Sequence, residues 1–174
     1  MKKIIAGYIQ YFSYVVRHRR YVRKACFSMG LYYQGIVHDL SKFRLSEAKR
    51  YMRWFSLSNK SIEKEFNMAW NHHIKRNKHH RQYRVLIEDS GAIKPIQMPK
   101  RYVEEMLCDW WGVGRAFAKT KEELMRYDYC PRSEVYNWYH KNKDNMKLHE
   151  KTRRHVEIFL LDQKKIDWID SGAN

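Results

Sequence analysis

Hydrophobic positions recur at helical spacing along most of this chain, and few breakers interrupt them. Over residues 3–29, Tyr14, His18, Tyr21, Val22 and Cys26 fall at three- and four-residue intervals, which predicts a long first helix with one inward face. Gly30 and Gly35 then bracket a short joint leading to His38-Asp39-Leu40-Ser41-Lys42-Phe43. A second amphipathic helix is predicted over residues 46–55, with Leu45, Ala48, Met52 and Phe55 inward and Ser56 to Ser58 ending it; a third covers residues 62–75. Around residues 84–98 the pattern changes. Val85-Leu86-Ile87 and the run 93–97 flank Asp89-Ser90-Gly91, so a small β-hairpin is expected as a decoration on a helical body. Residues 100–117 start just after Pro99 and place Val103, Met106, Leu107, Trp110 and Val113 on one face. Thr120 and Glu123 have the spacing of a capping box, and Pro131 suits the first turn of a helix running through Trp138. A last helix over residues 148–166 would pack Leu148, Val156, Phe159 and Leu160. With three prolines, seven glycines, no internal repeat and no low-complexity linker, the expectation is one all-α bundle domain over residues 1–174.

Composition narrows the setting. The chain is 44% hydrophobic and 15% aromatic, enough material for a real core and against general disorder. Lys and Arg number 35 against 19 Asp and Glu, a formal charge of +16 whose field attracts phosphates, nucleic acid or an anionic membrane surface. Cys26, Cys108 and Cys130 are odd in number and lack CxxC spacing, which speaks against a disulfide framework or a cysteine-built zinc knuckle and fits a reducing cytoplasm. The apolar run 4–16 is too short to span a bilayer, which needs ~20 residues. Gln10 interrupts it and Arg17 to Arg20 follow in place of a cleavage site, so it reads as part of a core helix rather than a signal or membrane segment.

Four of nine histidines fall in Trp70-Asn71-His72-His73-Ile74-Lys75-Arg76-Asn77-Lys78-His79-His80. Imidazole is a favoured ligand for zinc, iron, manganese and nickel, and residues two helical turns apart, such as His73 and His80, share a direction; the spacing equally permits His72 with His79. The competing reading is a solvated basic run among Lys75, Arg76, Lys78 and Arg81. The pair His38-Asp39 tips the balance, because between two helices it would be partly buried and in need of a partner. Lys42 is then either an ordinary surface lysine or a positive charge beside the metal, suited to a phosphoryl oxygen.

The order of these residues resembles the HD-domain metal-dependent phosphohydrolases, which carry an early helical histidine, a His-Asp pair, further histidines in two-metal members and a late helical aspartate. His18, His38, Asp39 and Asp109 match in that order, and His38-Asp39-Leu40-Ser41-Lys42 is similar to a His-Asp-hydrophobic-Gly-Lys signature, departing at Ser41. Over residues 17–112 the chain looks like a family of uncharacterised bacterial and phage proteins with His-x-x-x-Asn-x-His-His, here His73, Asn77, His79 and His80, followed by Glu-Met-x-x-Asp-Trp, here Glu105, Met106, Asp109 and Trp110. The resemblance implies an HD-like bundle in which His18, His38, Asp39 and Asp109 hold one divalent transition metal (Mn, Fe, Zn, Co or Ni). Asp39 would bridge to a second metal held by His73 with His80 or His79. Spacing adds that Asp109 borders an apolar helix face, where an unpaired carboxylate is costly. Glu105, one turn earlier, is placed to orient a ligand histidine, to act as a base, or to form a plain helix salt bridge.

The function expected from the resemblance is hydrolysis of a phosphoester, in a nucleotide or other phosphorylated small molecule, by a metal-bound water. Asp39 or Glu105 would take the proton, and Lys42 with Arg76 or Arg101 would meet the phosphoryl charge. Two rivals share the ligand set: an HD-type di-iron oxygenase, and a basic nucleic-acid-binding or host-interaction protein with a structural metal site. His140, His149 and His155 stand outside the pattern, and Trp110-Trp111 and Tyr32-Tyr33 read as core or pocket wall.

Overall fold

The computed structural model describes residues 2–57, 60–118 and 131–162. Among them, helix α1 spans Lys2–Ser28, α2 Tyr32–Val37, α3 Leu45–Leu57, α4 Lys60–Arg76, α5 Lys100–Phe117, α6 Pro131–Asn142 and α7 Glu150–Leu161. Short 3-10 turns occupy Leu40–Phe43, Arg81–Arg84 and Lys143–Asn145. Strands β1 (Val85–Ile87) and β2 (Ile93–Pro95) form an antiparallel hairpin with Leu86 opposite Lys94. The body is therefore helical with one hairpin, as the periodicity predicts.

Helix α1 is the axis, packed mainly against α5 and α3. Its buried stripe is Tyr11, Val15, His18, Val22 and Ala25, one residue every three or four positions, with Cys26 buried beside Ala25. Toward its start, Tyr11 and Val15 pack with Ala48, Tyr51 and Met52 of α3 and Ala69 of α4. Toward its end, Val22, Ala25 and Cys26 pack with Val103, Met106, Leu107 and Trp111 of α5, extended by Tyr139 of α6 and Val156, Phe159 and Leu160 of α7. Each such aliphatic or aromatic side chain contributes about 1.5–3 kcal/mol by leaving water. His18 sits between the two clusters, on the same stripe, so the apolar core is interrupted where the polar site lies.

Two glycines shape this frame. Gly30 takes a φ of 73° just past the end of α1, where the Leu31 N–H reaches back to the Cys26 carbonyl at 2.8 Å; a left-handed residue there reverses the chain into α2. At Gly112 a Cβ would lie 2.6 Å from Val22 Cγ2. The missing side chain lets α1 and α5 approach closely one turn beyond His18 and Asp109.

Several sequence expectations change in detail. Gly35 is inside α2 and buried, not in a joint. Leu45, expected to face inward, is 82% exposed: it is the first residue of α3 and lies about a quarter-turn from the centre of the inward face formed by Glu47, Ala48, Tyr51 and Met52. The apolar run 4–16 is only partly core: Ile5, Ile9, Phe12 and Val16 are exposed, since a 3.6-residue period turns only Tyr11 and Val15 inward along with Gly7. Tyr32 and Tyr33 are exposed rather than core. Pro131 opens α6 as expected, whereas the Thr120–Glu123 capping box, Cys130 and the end of the helix expected to reach Ile166 lie outside the described residues. Among the described residues, no helix is long and apolar enough to cross a membrane.

Candidate metal centre

The site begins with the reversal after α2. Asp39 has φ 53° and ψ 23°, the sole non-glycine residue at positive φ among the described residues. A left-handed residue with a side chain costs roughly 1–2 kcal/mol, and aspartate tolerates it better than most. Arg19 of α1 holds the turn, Nε donating to the His38 carbonyl and Nη2 to the Ile36 carbonyl, both at 2.8 Å. Both His38 and Asp39 are thereby driven into the interior, each 1% exposed. The 3-10 turn that follows brings Lys42 back over the carboxylate, with Nζ 2.6 Å from Asp39 Oδ2. Tyr11 of α1 fixes that turn through a hydrogen bond from its hydroxyl to the Lys42 carbonyl.

Asp39 is the meeting point of four elements. Its Oδ2 lies 3.3 Å from His18 Nε2 of α1 and 3.6 Å from His38 Nε2. Asp109 Oδ1 of α5 faces the same two nitrogens at 3.1 and 3.5 Å. On the other side, Asp39 Oδ1 lies 3.3 Å from His73 Nε2 of α4 and 3.6 Å from His79 Nε2, and His80 Nε2 is 2.9 Å from His73 Nε2. All the residues expected to hold metal, His18, His38, Asp39, His73, His79, His80 and Asp109, are thus brought together.

A second layer holds the rings. Glu105 Oε1 accepts from Nδ1 of both His38 and His79, each at 3.0 Å, which turns both Nε2 lone pairs toward the aspartates. Glu47, fully buried at the start of α3, does the same for His73, its Oε2 3.1 Å from Nδ1. Ser41 Oγ bonds Glu47 Oε2 at 3.1 Å, and Asn77 Nδ2 donates to Ser41 Oγ at 2.9 Å. His72 is not in the cluster. It turns outward to Glu47 Oε1 at 3.1 Å, so of the two pairings the spacing allowed, His73 with His80 forms, at 2.9 Å, and His72 with His79 does not.

Charge in this core is strongly biased. Burial alone would raise the pKa of Asp39, but Lys42, His38 and His73 hold it well below the usual carboxylate range. Asp109 is likewise held well down against burial by His18 and His38, and Glu47 and Glu105 are lowered by their histidines. Burial pulls His38 and His73 downward, yet the neighbouring carboxylates win and raise both. His80, by contrast, is pushed well down by burial and by His79, leaving a neutral imidazole suited to ligation.

These groups fit a metal. Three sets of ligand atoms, His18–His38–Asp39–Asp109, His38–His79–Glu105 and Asp39–His79–His80, each gather within 4.8 Å. Asp39 Oδ1 and His79 Nε2 have no partner in hydrogen-bonding geometry among the described residues, and such buried groups cost about 1–3 kcal/mol each when left so. His18 Nε2 and His38 Nε2 face one another at 3.3 Å, an arrangement that needs a proton or a cation between the lone pairs. The nitrogen and oxygen donors suit a divalent transition ion.

Other expectations fall elsewhere. Arg76 is exposed at the end of α4, and Arg101 is exposed and lies over the Tyr102 ring, so neither reaches the cluster. His149 caps α7 by accepting from the Lys151 N–H, and His140 packs on Tyr136. Trp110 is half-buried against Trp138. Cys26 and Cys108 are free and buried. Sequence reasoning missed Glu47 and Arg19. The available signal for Glu47 was its place beside Ala48, on the inward stripe with Tyr51 and Met52.

The chain belongs to a family of unknown function, DUF5662, whose model matches residues 7–162. Neither curated proteins nor solved structures give a match to it.

Proposed function

We propose that this member of the family is a divalent-metal-dependent phosphohydrolase of HD-domain type. One observation carries the reading: the buried Asp39 carboxylate has histidines of one set at Oδ2, histidines of a second set at Oδ1, and the Lys42 ammonium 2.6 Å from Oδ2. His18, His38, Asp39 and Asp109 would hold one ion, and Asp39 with His73, His79 and His80 a second. A divalent ion at such a site lowers the pKa of water and polarises a phosphoryl group.

The remaining work belongs to the chain. Lys42 is the cation nearest the ligands, so it meets charge developing on the phosphoryl oxygens. Asp39 would serve as a ligand rather than a base, because both its oxygens face histidines of the two sets and its carboxyl is held well below the usual carboxylate range. The contacts of Glu105 favour the orienting role over the base, because its Oε1 already receives two imidazole N–H groups. The charge of +16 draws an anionic substrate toward the molecule.

The test starts with metal content by elemental mass spectrometry on untagged protein, beside Asp39→Ala and His73→Ala. One to two equivalents in the wild type, lost in the variants, and phosphate release from a phosphoester panel with that metal, are expected. Metal-free wild type that stays so after reloading would sink the proposal. Oxygen uptake by an iron-loaded sample, without phosphate release, would turn the reading to a di-iron oxygenase.

A further inference from the structure

We propose that the cleft beside Lys42 binds the organic half of the substrate, and that this half is a flat apolar ring rather than a nucleoside; the inference rests on the phosphohydrolase reading. The cleft, about 430 Å³, lies between α1, α3 and α4. Small-molecule sites of roughly 300–1,000 Å³ are usual. Lys42 lines it, and through Lys42 it adjoins Asp39. Its other walls are rings, chiefly Tyr14, Tyr51, Phe55, Phe66 and Trp70. Tyr14 also stacks on His18, with centroids 5.8 Å apart and planes 13° from parallel, so the ring wall continues to the ligand cluster.

One hydroxyl of this wall, that of Tyr51, lacks a partner among the described residues. The residue is 6% exposed, and its hydroxyl is buried without a hydrogen-bond partner among the described residues. It lies close enough to Lys42 and Glu47 to feel both charges. A buried phenol of this kind is completed by an acceptor, and an anionic oxygen held by Lys42 supplies one. Ammonium and hydroxyl thus mark the anionic end of the ligand, and the rings mark the other.

The same walls argue against a nucleoside. Among the described residues of these walls, the side-chain hydrogen-bonding groups beside Lys42 and the tyrosine hydroxyls are the Gln10 amide and the Trp54 and Trp70 indole N–H groups, with no carboxylate among them. A ribose diol and a base edge together require more acceptors than this. An aryl phosphate requires none. Its hydrolysis places the oxygen of water on phosphorus, breaks the ester P–O bond, and leaves a phenol that carries one of water's protons, with no oxidant or reductant.

Phenylphosphonate has a P–C bond in place of the ester linkage and is a stable probe. It is titrated by calorimetry into the metal-loaded full chain, beside methylphosphonate and adenosine monophosphate. Both phosphonates offer the same anion to Lys42, so their difference reports the ring. Phenylphosphonate is expected to bind at least about tenfold tighter than either comparator. Tyr51→Phe, which removes only the hydroxyl, should weaken it about tenfold without lowering the melting temperature. Equal binding of the two phosphonates, tighter binding of adenosine monophosphate, or wild-type affinity in Tyr51→Phe would overturn the assignment. Turnover separates this from the parent reading. A ring preference in a protein that hydrolyses no phosphoester leaves the cleft standing and defeats the hydrolase; faster hydrolysis of nucleotides than of 4-nitrophenyl phosphate keeps the hydrolase and defeats the cleft.

Discussion

Lys42 and Asp39 make a buried ion pair at 2.6 Å whose two members have separable duties. On the proposed function, replacing Lys42 by Met would remove the cation that meets the phosphoryl group but no metal ligand. We expect turnover of a phosphoester to fall about 10²–10³-fold with metal content unchanged by elemental analysis; loss of metal instead would make Lys42 a structural support of the turn. Glu47 and Glu105 act one layer out, by fixing imidazole rings. Glu47→Gln and Glu105→Gln are each expected to weaken metal retention by about 10–100-fold, read by competition with a chelator of known affinity. Unchanged affinity would show the rings are held without them. At this scale the sequence was readable for residues with a rare side chain in a recognisable order, such as His38 and Asp39. Glu47 was not, because a glutamate in the first turn of a helix is usually solvated there.

Helix α1 places His18 on the buried stripe, and α5 places Glu105 and Asp109 opposite it, so the distance between these two helices sets the width of the centre. Gly112 controls that distance through its contact with Val22. Gly112→Ala forces a shift of one helix or of the Val22 side chain, at about 1–3 kcal/mol of stability. A lower melting temperature together with weaker metal retention is the expected result; destabilisation with metal binding intact would show that the centre absorbs the shift. Helical period foretold α1, α3, α4 and α5 within a few residues, since burying one face of a helix imposes it. It did not tell His72 from His79. Helix α4 stops at Arg76, and the turn through Asn77 sends His79 inward, an outcome that depends on what Asn77 and Ser41 bond.

Across the whole molecule, the buried carboxylates and histidines give the metal-free chain a defined response to pH. Asp39, Asp109, Glu47 and Glu105 have lowered pKa values, so their stabilisation is present above about pH 4 and is lost as pH falls through the lowered values. His38 and His73 are raised, so theirs is present below about pH 6.5 and is lost as pH rises through the raised values. The melting temperature of chelated protein should therefore peak at mildly acidic pH. The gain from added metal should grow with pH, because ligation displaces protons; at about 100-fold excess over Kd it is worth about 2.7 kcal/mol. A gain that shrinks from pH 6 to 8 would contradict ligation by these residues. By itself the sequence determined the helical body and the hairpin, because apolar periodicity is a local property, and it singled out the histidine run and the His38-Asp39 pair; the full candidate set came only with the family resemblance. Only the tertiary structure decided that seven ligand-type residues from α1, the α2–α3 turn, α4 with its following turn, and α5 meet at one carboxylate. It also decided that Glu47 and Glu105 aim their rings and that an aromatic cleft adjoins Lys42. Those outcomes depend on helix separation and ring orientation, which packing between distant segments sets.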